Sequence, residues 1–395
     1  MRVFIAIGMF LIVSMAYAGE PDRAVLVQID EKLDQQQLDE STLDGLASQL
    51  EGLTSNHSDS PAVWLRLGLV QARMGKLDLA SNSVANGLGV KAQDPHLLAL
   101  RAVVYWRQGK PTEAGRDFDA VLQLKPKHPV ANVFKAYRAI IAEDYKAAVV
   151  FARSALVGNP RDLNAYALMA YAEYKMGNLD MARLISKSSM EIADTNADIF
   201  NIMGIVATAK DRLGMAGNHY RKAVSIETGH VAAQLNLGSF ALSVNDFENA
   251  LRHFDAVQEV DPNHIWMLLS RGVALRGLGR FAEAAKTYQR ILDIDSNNLE
   301  ARYNLCVLKQ EHENDTEGGL KWCEEMQSMV GASHPKAREL KNRIEGMKLK
   351  IEMANEPAPA PVESPEEKGE EKGEEKGEEK ADDGADKTNA TETPE

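Results

Sequence analysis

Two cysteines and nine histidines are the side chains here whose chemistry goes beyond charge and hydrogen bonding. Cys306 and Cys323 can join as a disulfide, stay as buried thiols, or act as a redox couple. The last needs a Cys-x-x-Cys context, which the chain lacks. Histidines can hold a metal or move protons, but the sequence has no His-Glu-x-x-His run, phosphate-cradling glycine loop or nucleophile elbow. His128, His230 and His264 recur at multiples of 34 residues, too far apart along the chain to converge on one ion. Their spacing points to linker or helix-capping roles. Carboxylates are abundant, but no subset is set apart as an acid/base pair. The reading is a non-enzyme with no metal and no cofactor.

The elements that must position these residues follow from composition and periodicity. A chain of 395 residues exceeds one compact core, and only 6% of it is aromatic, which suits close helix packing better than a β-sandwich. The formal charge of −13 is uneven. From Glu366 to the end, thirteen Asp/Glu face five Lys, so a tail carries −8 of it. No basic stripe suits nucleic acid. At the other end, Arg2 precedes an apolar run from Val3 to Met15 and a small-x-small site, Ala16-Tyr17-Ala18. This reads as an export signal cleaved after Ala18, too short to span a bilayer. The mature chain is expected to be periplasmic or secreted, with no stable membrane anchor.

A 34-residue ruler begun at Pro61 fits eight times, to residue 332, without insertion or deletion. Its eighth position falls on Gly68, Ala102, Ala136, Ala170, Gly204, Gly238, Gly272 and Cys306. Its twentieth falls on Ala80, Ala114, Ala148, Ala182, Ala216, Ala250, Ala284 and Gly318. Two short antiparallel helices approach closely only where side chains are small, and bulky residues at the twenty-fourth position, Phe118, Tyr220, Phe254, Tyr288 and Trp322, fill the space toward the next unit. Position 34 supplies Asp94, Asp162, Asn196 and Asn298 as helix caps. On these residues the chain resembles the tetratricopeptide-repeat family.

The resemblance implies an all-α fold, an α-solenoid of helix-turn-helix repeats wound as a right-handed superhelix, with terminal capping helices and a disordered acidic tail. Residues 1–18 are then the signal, 19–60 a degenerate opening pair, 61–332 the eight repeats, 333–353 a closing helix and 354–395 the tail. In the last repeat, Cys306 on the first helix and Cys323 on the second lie at similar heights, and an oxidising compartment favours their disulfide over two buried thiols.

The resemblance also implies a binding groove lined by the second, fifth, ninth, twelfth and thirteenth positions. Trp106, Arg107, Val133, Tyr137, Tyr171, Tyr174 and Lys175 form its expected centre, with Trp266 and Arg276 further along. Such a surface suits an amphipathic helix or an extended apolar peptide bearing an acidic group. Cochaperones of the family clamp acidic tails with Lys at fifth and Asn at ninth positions; neither occurs here. The expected function is a scaffold in the bacterial cell envelope, holding one or more envelope proteins in a pilus, secretion or polysaccharide-export machine. The alternative is an adaptor or regulator of a cell-wall enzyme. Exposed groove residues would also support self-association.

Overall fold

The computed structural model describes residues 23–33, 38–331 and 333–356. The expected signal and the tail beyond residue 356 lie outside them. The described residues form nineteen helices and no strand. An opening pair, α1 (Arg23–Leu33) and α2 (Glu40–Asn56), precedes eight hairpins. These are α3 (Pro61–Arg73) with α4 (Leu77–Val90), α5 (Pro95–Arg107) with α6 (Pro111–Leu124), α7 (Pro129–Ile141) with α8 (Tyr145–Gly158), and α9 (Leu163–Lys175) with α10 (Leu179–Ile192). There follow α11 (Ala197–Ala209) with α12 (Leu213–Ile226), α13 (Val231–Ser243) with α14 (Phe247–Val260), α15 (Ile265–Gly277) with α16 (Phe281–Ile294), and α17 (Leu299–Glu311) with α18 (Thr316–Met329). A closing helix, α19 (Ala337–Asn355), ends the stack.

Local chemistry sets each boundary. Ser60, Asp94, Asp162, Asn196 and Asn298 accept hydrogen bonds from amides in the first turn of the helix that follows. His230 and His264 do the same through Nδ1, taking the amides of Ala233 at 3.0 Å and Met267 at 3.1 Å. Between the helices of a hairpin, one residue turns left-handed: Gly75, Gly109, Gly177 and Gly279, but also Glu143, Asp211 and Asn245. First helices of neighbouring repeats touch one another, α3 on α5 and α7 on α9, whereas second helices pack chiefly on first helices. The first helices therefore form the inner side of the solenoid and the second helices its outer side.

The eighth and twenty-fourth positions meet as expected, and their sizes trade off. A Cβ built on Gly204, Gly238 or Gly272 would lie 2.3, 2.4 or 2.3 Å from the ring of Tyr220, Phe254 or Tyr288. Where position 24 is the small Ala152, position 8 is Ala136. In the second repeat Phe118 coexists with Ala102 because its ring stacks on Phe134 of the next repeat, centroids 4.3 Å apart.

The last repeat departs from the ruler. Its left-handed residue is Asn314, one place late, and α18 starts at Thr316 after Asp315, whose carboxylate accepts the Gly318 amide at 2.8 Å. One residue has been inserted in this turn. The small residue against α17 is therefore Gly319, not Gly318, and Met326 rather than Glu325 enters the core. Cys323, rather than the expected Trp322, then occupies the place that an aromatic ring holds in other repeats, opposite Cys306. The two form a disulfide with Cα atoms 5.4 Å apart, and both are fully buried. Cys306→Ser/Cys323→Ser is expected to lower the stability of α17 to α19 by about 3 kcal/mol in the loop-entropy picture, read as faster amide exchange there with repeats 1 to 6 unchanged.

Both ends are covered. Leu43, Leu46 and Leu50 of α2 are buried with Leu26, Ile29 and Leu33 of α1. The buried guanidinium of Arg66 is held by both oxygens of Asp30, at 2.8 and 2.5 Å. On α19, Leu340, Ile344 and Met347 are buried. Much of its basic flank is already engaged: Arg343 donates to Gln310 at 2.6 Å and to Glu311 at 2.7 Å, Lys348 pairs with Glu324 at 2.7 Å, and Lys336 Nζ sits 3.5 Å from the Tyr303 ring centroid.

Candidate functional site

The inner face concentrates aromatic surface on three successive first helices. Trp106, near the end of α5, meets Phe134 and Tyr137 of α7 edge-on, with centroids 5.2 and 5.8 Å away. Tyr171 and Tyr174, three residues apart on α9, lie with centroids 6.2 Å apart. All four of Trp106, Tyr137, Tyr171 and Tyr174 are half-buried. Burial raises the Tyr137 hydroxyl and, with Tyr145, Tyr174 and Glu143 nearby, pushes Tyr171 up to about 12. These phenols stay neutral donors across ordinary pH. Large rings with a polar tip and an open edge are the composition of binding hot spots.

Two expected members have other duties. Val133 is only 2% exposed. Its branched side chain is sealed between α7 and its neighbours, so it supports the groove wall rather than lining it. Arg107 is exposed, but its Nη1 donates to the Ala72 carbonyl at 2.8 Å, tying the end of α3 to α5, and burial lowers its pKa. Arg73 makes the matching bond to the Leu33 carbonyl at 2.7 Å. Lys175 is exposed and lies over the Tyr145 ring, 5.6 Å from its centroid. Trp266, 47% exposed, and Arg276 both sit on α15, three repeats beyond α9 and outside the aromatic cluster.

One feature at the opposite end of α5 and α7 escaped sequence reasoning. His96 at the start of α5 and His128 at the start of α7 are buried ring to ring, with Nε2 of His128 3.2 Å from Nδ1 of His96. His128 makes no capping bond, and its Nδ1 has no partner among the described residues. The signal in the sequence is two histidines 32 residues apart at the same helix ends, a spacing that falls outside the 34-residue column. Among the described residues, no group of three or more His, Cys, Asp or Glu is placed to hold a metal, and no helix is long and apolar enough to cross a membrane.

The tetratricopeptide-repeat model matches residues 65–129 and 230–298. Tetratricopeptide repeat protein 8 of Caenorhabditis elegans is 23% identical over 218 residues, 55% of this chain and 43% of that protein. Human protein O-mannosyl-transferase TMTC3 is 23% identical over 256 residues, 64% of this chain and 25% of that protein. The chain thus spans less than half the length of either relative. Among solved structures, the APC/C hetero-tetramer Cut9–Hcn1 superposes with a TM-score of 0.60 at 12% identity, covering 85% of this chain and 65% of that one. The human IFIT1 dimer with PPP-AAAA gives 0.53 at 14% identity, covering 83% and 81%. These structures share the fold, not a demonstrated ligand. The strict helix spacing, the paired small and large positions and the matched repeats together show that the chain carries tetratricopeptide repeats.

Proposed function

We propose that this protein is a non-enzymatic scaffold of the bacterial cell envelope, holding a partner peptide or helix along its inner face. Tetratricopeptide-repeat proteins generally mediate protein–protein contact without catalysis. The observation that carries the proposal is the open aromatic cluster of Trp106, Tyr137, Tyr171 and Tyr174, with the exposed cations Arg107 and Lys175 beside it. Rings and cations together favour an apolar segment carrying a carboxylate. The buried Cys306–Cys323 disulfide supports an oxidising compartment, as does the signal-like start of the sequence. A pilus, secretion or polysaccharide-export machine is the kind of assembly such a scaffold would serve.

In-cell crosslinking from a photoreactive residue at Tyr171, with the exposed outer residue Lys286 as control, tests this reading. A discrete envelope protein captured from position 171 alone supports it. Equal capture from both positions, or none from 171, overturns it. Should the captured protein be a cell-wall enzyme whose rate changes on addition of the purified chain, the role is that of an adaptor.

A further inference from the structure

Eight copies of one hairpin let each outer position be compared with its own equivalents. At position 25 of the second helices, repeats 1, 2, 6 and 7 carry Ala85, Asp119, Asp255 and Gln289. Repeats 3, 4 and 5 carry Arg153, Lys187 and Arg221, all exposed. The flanking aspartates are used within the array, Asp119 by Lys135 and Asp255 by Arg271. The three central cations have no carboxylate partner among the described residues, and Arg221 donates only to the Asn218 side chain.

Two of these three repeats, 3 and 4, break the pattern at a second position. Position 22 is Asn82, Arg116, Asn218, Arg252 or Lys286 in repeats 1, 2, 5, 6 and 7, but Val150 in repeat 3 and Leu184 in repeat 4. These two are 60% and 56% exposed. On α8, Lys146, Val150, Arg153 and Val157 follow at i, i+4, i+7 and i+11, a single exposed stripe alternating cation and aliphatic. Met181 and Met215 on α10 and α12 add apolar surface, 47% and 50% exposed. Neither α8 nor α12 contains a carboxylate, in a chain whose net charge is −13.

Cations and half-exposed aliphatics interleaved on an outer face match a layer with phosphates above and hydrocarbon beneath. The acidic tail of the chain would answer the cations, but its Glu-Glu-Lys-Gly run offers nothing apolar for Val150 and Leu184. Nucleic acid fails for the same reason. We infer that the outer face of repeats 3 to 5 docks the protein peripherally on an anionic phospholipid bilayer. Arg153, Lys187 and Arg221 meet headgroup phosphates while Val150 and Leu184 enter the interface. The aromatic groove then faces away from the lipid and stays open to a partner.

Vesicle sedimentation tests this with the chain from Gly19, which keeps every described residue and lacks the apolar leader. Binding is expected to vesicles of phosphatidylcholine with phosphatidylglycerol, weakening as salt is raised, and not to phosphatidylcholine alone. Arg153→Glu/Lys187→Glu/Arg221→Glu should weaken it by about a hundredfold, at roughly 1 kcal/mol per cation. Val150→Ser/Leu184→Ser should weaken it about tenfold, and Lys286→Glu should leave it unchanged, with thermal melts confirming that each variant folds. No binding to anionic vesicles, or binding indifferent to the triple variant, overturns the inference. So does a chain that ignores vesicles but loses a dimer on Val150→Ser/Leu184→Ser, which would assign the face to contacts between copies.

Discussion

Tyr288→Ala is expected to lower the unfolding free energy by about 3–5 kcal/mol, and Gly272→Ala by about 2 kcal/mol. The double variant should lose less than their sum by more than about 1 kcal/mol. Tyr288 is fully buried, and a Cβ on Gly272 would sit 2.3 Å from its ring. Removing the ring leaves a void; adding the methyl forces the ring off its rotamer; doing both lets the methyl occupy part of the void. The chain already contains the relieved pairing, as Ala136 with Ala152. Tyr288→Phe should be neutral or stabilising, because its buried hydroxyl has no hydrogen-bond partner among the described residues. Urea denaturation with amide exchange on α15 to α18 measures all four; strict additivity would remove the proposed contact.

The second large effect is a loss of stability in acid that originates at His96 and His128. Burial is the main cause of both shifts, lowering His96 to about 4 and His128 to about 3. Lys125 pushes both further down, Lys91 adds to this at His96 and His96 at His128, while Asp94 opposes. In the unfolded chain both titrate near 6.5. Between about pH 6.5 and 4 the unfolded state therefore binds more protons, and stability falls as pH is lowered, at up to about 1.4 kcal/mol per pH unit for each histidine. Above pH 7 the pair adds no pH dependence. Denaturation at pH 7, 6, 5 and 4 should show this slope, and His96→Gln/His128→Gln should flatten it. An unchanged slope in the double variant would place the acid sensitivity elsewhere.

The helices were legible because the constraint that makes them is periodic. Small residues at two fixed positions, a cap at position 34 and a left-handed turn residue recur with every hairpin, so one faulty position barely weakens the pattern. The reading slipped where that redundancy ended. Gly318 and Gly319 are adjacent, either can supply the small residue, and only the Asp315 cap shows which one does. The groove was less legible because inner positions serve two purposes. Val133 and Tyr137 are four residues apart on the same stripe of α7, yet one is sealed and the other half-open, since only the larger side chain outreaches its neighbours. Arg107 is expected in the groove, and its bond to a carbonyl in the preceding repeat has no signature in the sequence. The histidine pair is a contact between helices, invisible to a ruler that compares like positions only.

The inserted residue and the disulfide also fix how the chain would behave under tension. Pulled from its ends, each of the first seven hairpins would release the same contour, about 120 Å for 34 residues. The eighth holds one residue more in its turn, but its cross-link spans a sequence separation of 17 and would withhold about 60 Å of that length. The solenoid is thus a chain of equal extensible links followed, before the closing helix, by one short, stiff link.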